Sequence, residues 1–524
     1  MWVNKWLRQL IVLVIFLFLI IALENRQVVQ TISDFGNEQR LTVLIPQPCT
    51  TLDPAKVTDR QSAMIINNIY EGLVKYQPQS TDIEPALATK WEVKEKGKEW
   101  IFSLRRDVKF HDDTPFNAQA VKASVERVMV NKQTMPYAEM AFGMVDKIEI
   151  LDDYTVKFIL KYPYAPFLHN LAMPWAAPMV SPTAVANFGA DFGTHPVGTG
   201  PYRLEKWQPD GTLILAANEK YWQRSPQTKQ VHIKVEANAE QRYQQLATGK
   251  ADIITNAPLD QVAKAEQQRL TVVQQPNLSI NYLGFYNNKP PFDSSRIRRA
   301  VLMSLDRPQL IKDLYNNRFA SAESYIPPNM LGHSDKLTQY PYNPTAAKEL
   351  LQQNGYPDGM TITLITYQQP MPYNSVGGEA LALAIKKQLV DMGITVNIKA
   401  YPWSEYKAAL KQQQGHCFLY GWTSDNGDPD NILYPLLTSP QIDRGLNVTR
   451  YSNPQVDRML ASAQQVTDRK SRQTIYYHTQ QIILQEAPWV VLNYGCDFTI
   501  TTPKVRDITY NAVGGLCFDT MHKD

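Results

Sequence analysis

The segment Gly421-Trp422-Thr423-Ser424-Asp425-Asn426-Gly427 sets one carboxylate between an indole and a turn signal. An ionised carboxylate only accepts hydrogen bonds and takes several N–H donors at once, so Asp425 has the chemistry to hold a cationic group. The same stretch also reads as a plain turn, because Asn-Gly is a strong turn dipeptide. Trp422 and Trp403 each offer an apolar face and one N–H donor, which suits a ligand cleft and a core equally. Arg60, in Val57-Thr58-Asp59-Arg60, places a guanidinium in an early loop, where solvation is the ordinary fate of such a group. His111-Asp112-Asp113 has metal-ligating residue types but falls in a turn expected to be exposed.

The assemblies of common catalysts are missing. The eight histidines form no His-Glu-x-x-His pair, and there is no Gly-x-Ser-x-Gly elbow or Gly-rich phosphate loop. The four cysteines (Cys49, Cys417, Cys496 and Cys517) show no Cys-x-x-Cys zinc spacing and allow three complete disulfide pairings. Cys417 sits in the apolar run Cys417-Phe418-Leu419-Tyr420, so a buried free thiol is as well supported as a bridge. No enzyme, cofactor or metal site is expected. With 53 basic against 50 acidic side chains the net charge is +3, and no basic run supplies a nucleic-acid footprint.

A chain of 524 residues exceeds one ordinary core, since domains hold roughly 100–200 residues, and two or three lobes are expected. Lys5 and Arg8 precede an apolar run over 10–23 that Glu24, Asn25 and Arg26 end, a pattern that directs export. Only Ala22 is small near its end, so segment 1–27 is either an uncleaved anchor or an atypical cleaved signal. Either way the body lies outside the cytoplasm, in the periplasm or tethered at the outer face of the cytoplasmic membrane. A polar linker spans 28–39.

Periodicity predicts a strand over 41–45, a helix over 61–70, a strand over 100–104, a helix over 118–129, and strands over 147–151 and 154–160. The second half predicts a helix pair over 296–315 broken near Asp306-Arg307-Pro308, and a helix over 344–353 stopped at Asn354-Gly355. A strand over 361–366, a helix over 379–392 and a strand over 394–398 then make a βαβ unit, so this half carries a parallel or mixed sheet. The fold class is α/β.

Several segments carry a family likeness. They are Ala86-Leu87-Ala88-Thr89-Lys90-Trp91, Pro196-Val197-Gly198-Thr199-Gly200-Pro201-Tyr202, Asn218-Glu219-Lys220-Tyr221-Trp222, Arg296-Ile297-Arg298-Arg299-Ala300-Val301, Tyr342-Asn343-Pro344, and the run from Gly421 to Asn431. In these the chain resembles extracytoplasmic solute-binding proteins of the peptide/nickel ABC transporter family (family 5), most of all the dipeptide-binding branch. The resemblance implies a two-lobed periplasmic-binding-protein fold with a hinge. One lobe would hold 40–278, with an inserted subdomain over about 76–195, plus 493–524; the other would hold 279–492, and 277–286 and 487–494 would be the crossing strands.

It implies, further, a monomer that captures a small peptide or peptide-like solute and delivers it to ABC permease subunits. Asp425 would meet the ligand amine, a charge-assisted bond contributing about 1.5–3 kcal/mol, and Trp422 and Trp403 would line the cleft. Similar dipeptide receptors place an arginine before Pro-Tyr-Asn; this chain reads Met371-Pro372-Tyr373-Asn374. Methionine cannot grip a carboxylate as a guanidinium does. Either another cation such as Arg60 takes over, or the ligand lacks a free carboxylate there. The alternatives are a nickel–metallophore chelate or haem in the same fold, and a membrane-anchored peptide sensor or chaperone.

Overall fold

The computed structural model describes residues 39–513 and 515–524. The expected export segment 1–27 and all but the last residue of the linker 28–39 lie outside the described residues. Among the described residues no helix is long and apolar enough to cross a membrane.

Ten strands form one mixed sheet. In chain order they are β1 (Arg40–Ile45), β2 (Tyr202–Trp207), β3 (Leu213–Ala217), β4 (Gln230–Val235), β5 (Ile253–Ile254), β6 (Thr271–Phe285), β7 (Met360–Tyr367), β8 (Ile394–Tyr401), β9 (Cys417–Thr423) and β10 (Trp489–Thr501). Their spatial order is β8-β7-β9-β6-β10-β5-β1-β4-β3-β2, which puts β6 and β10 at the junction of two arrays. A separate four-stranded sheet is built from Ala88–Lys94, Glu99–Leu104, Thr155–Leu160 and Val145–Asp152. Its alternating strands bury Phe102 and Phe158, which meet edge-to-face at 5.7 Å in a core of their own.

The βαβ unit forms as its pattern requires. Helix Gly378–Val390 buries Leu381, Ile385 and Leu389, spaced four apart on one face, and β7 and β8 pair in parallel from Met360↔Ile394 to Tyr367↔Tyr401. The expected break in the helix pair is also present, as Ser295–Met303 and Arg307–Tyr315. Asp306 caps the second helix by accepting Gln309 N–H, and Pro308 occupies its first turn.

Strands β6 and β10 pair antiparallel in three registers, Thr271↔Thr501 to Pro276↔Cys496, then Ile280↔Tyr494 and Asn281↔Asn493, then Tyr282↔Val491 to Gly284↔Trp489. Between the first two Asn277, Leu278 and Ser279 oppose Gly495 alone, a bulge larger than the ordinary two-against-one kind. Buried amides fill this irregular stretch. Asn277 Nδ2 donates to Pro372 O (3.3 Å), Asn281 Nδ2 to Asn493 Oδ1 (3.0 Å), and Asn493 Nδ2 to Tyr373 O (3.4 Å). Buried amides persist only when paired, so these bonds fix the loop after β7 to the crossing strands. Gly495 leaves room for them, because a Cβ there would stand 2.2 Å from both Asn277 Oδ1 and Ser279 Oγ.

Gly495→Ala is accordingly expected to push the Asn277 amide off Pro372 and to lower stability by about 1–3 kcal/mol. Urea unfolding measures this, and an unchanged midpoint would mean that the bulge accepts a side chain.

Candidate functional site

Arg60 opens helix α1 (Arg60–Ile69) rather than lying in a loop, because the Asp59 carboxylate accepts Ser62 N–H at 2.7 Å and caps the helix one residue earlier. Its guanidinium is not simply solvated. Nη1 stands 2.9 Å from Asp497 Oδ2 on β10, with side-chain exposures of 42% and 29%. Arg60 and Asp497 share a cleft of about 740 Å³ with Met371, Pro372 and Val376, which come from the loop after β7. The structure therefore brings Arg60 and Met371 to one cavity, although 311 positions separate them. Met371 is half-buried, and its backbone N–H and C=O both bond Asn374.

Asp425 follows β9 and does not belong to the walls of that cleft. It is half-buried, its backbone N–H donates to Asn431 Oδ1 at 2.9 Å, and the Tyr137 hydroxyl hydrogen-bonds its carboxylate. Burial pushes its pKa up to about 6, against the opposing pull of the Arg60 charge and of the Tyr137 bond. Tyr137 precedes the short helix Ala138–Phe142 and stacks on Trp175 at 5.4 Å. The carboxylate thus has neighbours from two distant parts of the chain, Arg60 and Tyr137. The turn reading holds as well: Gly427 N–H bonds Ser424 Oγ (3.0 Å) and Asp428 N–H bonds Asn426 Oδ1 (3.0 Å).

The two tryptophans differ. Trp403 begins the helix Trp403–Lys411, stacks on Tyr420 (6.0 Å, 13°) and meets Tyr367 edge-on, so it is one member of an aromatic cluster. Trp422 lies opposite Ile280 on β9, half-buried, and its solvent-shielded indole N–H has no acceptor among the described residues. Gly421 beside it lets the Tyr373 ring lie on the strand, since a Cβ there would meet that ring at 2.3 Å. That contact joins the Met371 loop to the strand leading to Asp425.

The sequence reading missed the charges behind this segment. Asp428 takes both guanidinium nitrogens of Arg472 at 2.8 Å, with His169 Nδ1 3.3 Å away. Burial alone would raise Asp428, but Arg472 and His169 hold it below the usual carboxylate range. Asp430, buried and next to the Asp428 charge, is pushed up to about 7 and accepts Gln464 Nε2 at 3.1 Å. Three aspartates within Asp425–Asp430 signal that a cation is needed; nothing local points to Arg472 in the helix Arg469–Glu486.

His111 is a correction. It is half-buried, its Nε2 lies 2.9 Å from Gly200 O, and burial lowers its pKa to about 4, so it fastens the 196–202 turn. Among the described residues no group of three or more His, Cys, Asp or Glu could hold a metal ion. All four cysteines are free thiols, so the bridge alternative is not realised.

Two strand arrays joined at a crossing pair, with a cleft beside the junction, follow the two-lobed α/β plan of periplasmic binding proteins. The profile of bacterial extracellular solute-binding proteins, family 5 (middle), matches residues 82–444, and the chain belongs to that family, which is made of binding proteins rather than enzymes. It is 31% identical over 467 residues to Heme-binding protein A of Haemophilus influenzae (85% of each chain). It is 32% identical over 451 residues to Glutathione-binding protein GsiB of Pectobacterium atrosepticum (84% of this chain, 86% of that one).

Among solved structures, HbpA2 from Haemophilus parasuis superposes with a TM-score of 0.86 at 25% identity, covering 93% of this chain and 100% of that one. The unliganded open form of the periplasmic murein tripeptide binding protein MppA gives 0.82 at 23% identity (93% and 97% covered). The dipeptide binding protein from Pseudoalteromonas sp. SM9913 in complex with Met-Leu gives 0.74 at 25% identity (93% and 100% covered).

Tyr137→Phe is expected to move the Asp425 pKa above its value of about 6, because a bond that favours the charged form is lost. Carboxyl-carbon NMR titration reads this directly; an unchanged pKa would remove Tyr137 from the site.

Proposed function

We propose that this chain is the substrate-binding component of an ABC transporter, capturing a small peptide or peptide-like solute between two lobes and delivering it to membrane permease subunits. It acts as a monomer outside the cytoplasm and leaves its ligand chemically unchanged. The lobes are 40–278 with 493–524, and 279–492, and they close about β6 and β10.

One observation carries the reading. Asp425 is an ionisable carboxylate that burial has pushed up to about 6, with a neutral hydroxyl as its direct partner. Such a group is under-compensated when charged, and a ligand ammonium is the partner that would restore the balance. Met371 and Arg60 on the neighbouring cleft fit a receptor in which the anchoring cation has moved to the other wall. Haem or a metal chelate is the second reading. The likeness to Heme-binding protein A favours it, as does the thioether of Met371 on the cleft wall; a Soret band in freshly purified protein would establish it.

Asp425→Asn separates the site's function from its contribution to the fold. A carboxyl whose folded pKa lies above its unfolded value gives stability at low pH that is lost as pH rises from about 4 through 6. The amide is spared that loss. The variant should melt higher than the parent at pH 7.5, with the gap closing by pH 4, yet bind peptides about 10–100-fold more weakly. The parent's affinity should also fall as pH drops below about 6, where Asp425 takes up a proton. Calorimetry and thermal melts across pH check all of this; full affinity in the variant would refute the assignment of Asp425.

A further inference from the structure

The cleft carries more negative than positive charge. Asp59, Asp260 and Asp497 line it against one arginine, Arg60, among the described residues. Asp59 is committed to its helix cap, and Asp260 lies in the first turn of the helix Leu259–Gln267. The Asp497 carboxylate is held by its ion pair with Arg60, and both partners are partly exposed. An exposed pair of this kind contributes little, so a ligand group opens it at small cost.

Asp497 also stands where the cleft continues into a smaller recess of about 90 Å³, whose lining includes Thr255, Gln275, Asn277 and Thr499. Arg60 and Asp497 belong to both cavities. The recess has room for several waters, enough for the end of one extended side chain. Its walls are about half polar and half apolar, with Met64, Val513 and Leu516 among the latter, so they suit the aliphatic stem of a lysine or arginine while the carboxylate at the mouth meets its cationic head. The crossing strand β10 fixes Asp497, in register with Gln275 and two residues beyond Gly495. Met371, also on the cleft wall, is neutral and adds no compensating cation.

We infer that the cleft selects peptides bearing a basic side chain, with Asp497 as the specificity-determining residue that receives this side chain at the mouth of the recess. The inference rests on the reading of the chain as a peptide receptor. A lysine or arginine side chain replaces Arg60 as the partner of Asp497, while Asp425 takes the terminal amine. An acidic side chain instead meets Asp497 and Asp260 with Arg60 already engaged.

Calorimetric titration with Ala-Lys, Ala-Ala and Ala-Glu tests this at low and at physiological salt. Ala-Lys is expected to bind at least tenfold tighter than Ala-Glu, with Ala-Ala between them and the spread shrinking as salt rises. In Asp497→Asn, shown to be folded by its melting curve, the Ala-Lys preference should disappear and Ala-Glu should gain from the freed Arg60. Ala-Ala, which carries only the termini common to all three peptides, is the reference against which both changes are read. Equal binding of Ala-Lys and Ala-Glu to the parent would overturn the inference while leaving the peptide reading intact, as would a preference that survives Asp497→Asn. Failure of all three peptides to bind folded parent protein would overturn the peptide reading, and this inference with it.

Discussion

The pairing of β6 with β10 is the constraint on which the rest of the molecule depends. The array β9, β7, β8 extends from one member of the pair, and β5, β1, β4, β3, β2 from the other, so any relative movement of the two arrays passes through these strands. An unbroken ladder would resist such movement. Here three residues oppose Gly495, and side-chain amides replace regular backbone pairs. Those amides reach Pro372 and Tyr373, next to Met371, so the irregular stretch and one wall of the cleft form a single hydrogen-bonded unit. Domain closure of this kind concentrates rotation in a few residues at the ends of elements.

The charges near the junction fall into two sorts. Asp428 and Arg472 are fully buried and bidentate, so each satisfies the other, and their value is to hold the 424–431 segment in place. Asp425 and Asp497 are less well served: one has a hydroxyl and the more distant field of Arg60, the other a partly exposed arginine. Functional sites commonly keep such incompletely compensated groups, because a partner that supplies the missing charge then binds with more free energy than it could gain on a neutral surface. The well-paired cluster makes the poorly paired carboxylate possible, by fixing the backbone that presents it.

What is legible in the sequence is what one segment can specify alone. The βαβ unit follows from Leu381, Ile385 and Leu389 at helical spacing, and the helix Pro344–Gln353 from Asn343 and Pro344 at its start. The Gly421–Asn431 run reads by itself as a turn, and it is its likeness to the dipeptide receptors that singles out Asp425 among its three aspartates. What is not legible depends on residues far apart in the chain. Arg60 reads as a loop cation because its partner Asp497 is 437 positions away. His111 reads as exposed because Gly200, which buries it, belongs to another motif 89 positions on. Tyr137 and Arg472 carry no local signal at all, and only the folded chain brings them to Asp425 and Asp428. The aromatic setting of Trp403 likewise depends on Tyr367 and Tyr420 from two separate strands.

The central claim is that a guest's positive charge is neutralised by Asp425 when the two lobes shut around it. A crystal structure of the protein carrying the solute with which it is purified tests this most directly. The account predicts an amine nitrogen within hydrogen-bond distance of the Asp425 carboxylate, the Tyr137 hydroxyl displaced or shared, and the arrays rotated toward each other about the 277–279 bulge. A solute bound elsewhere, with Asp425 still joined only to Tyr137, would contradict it.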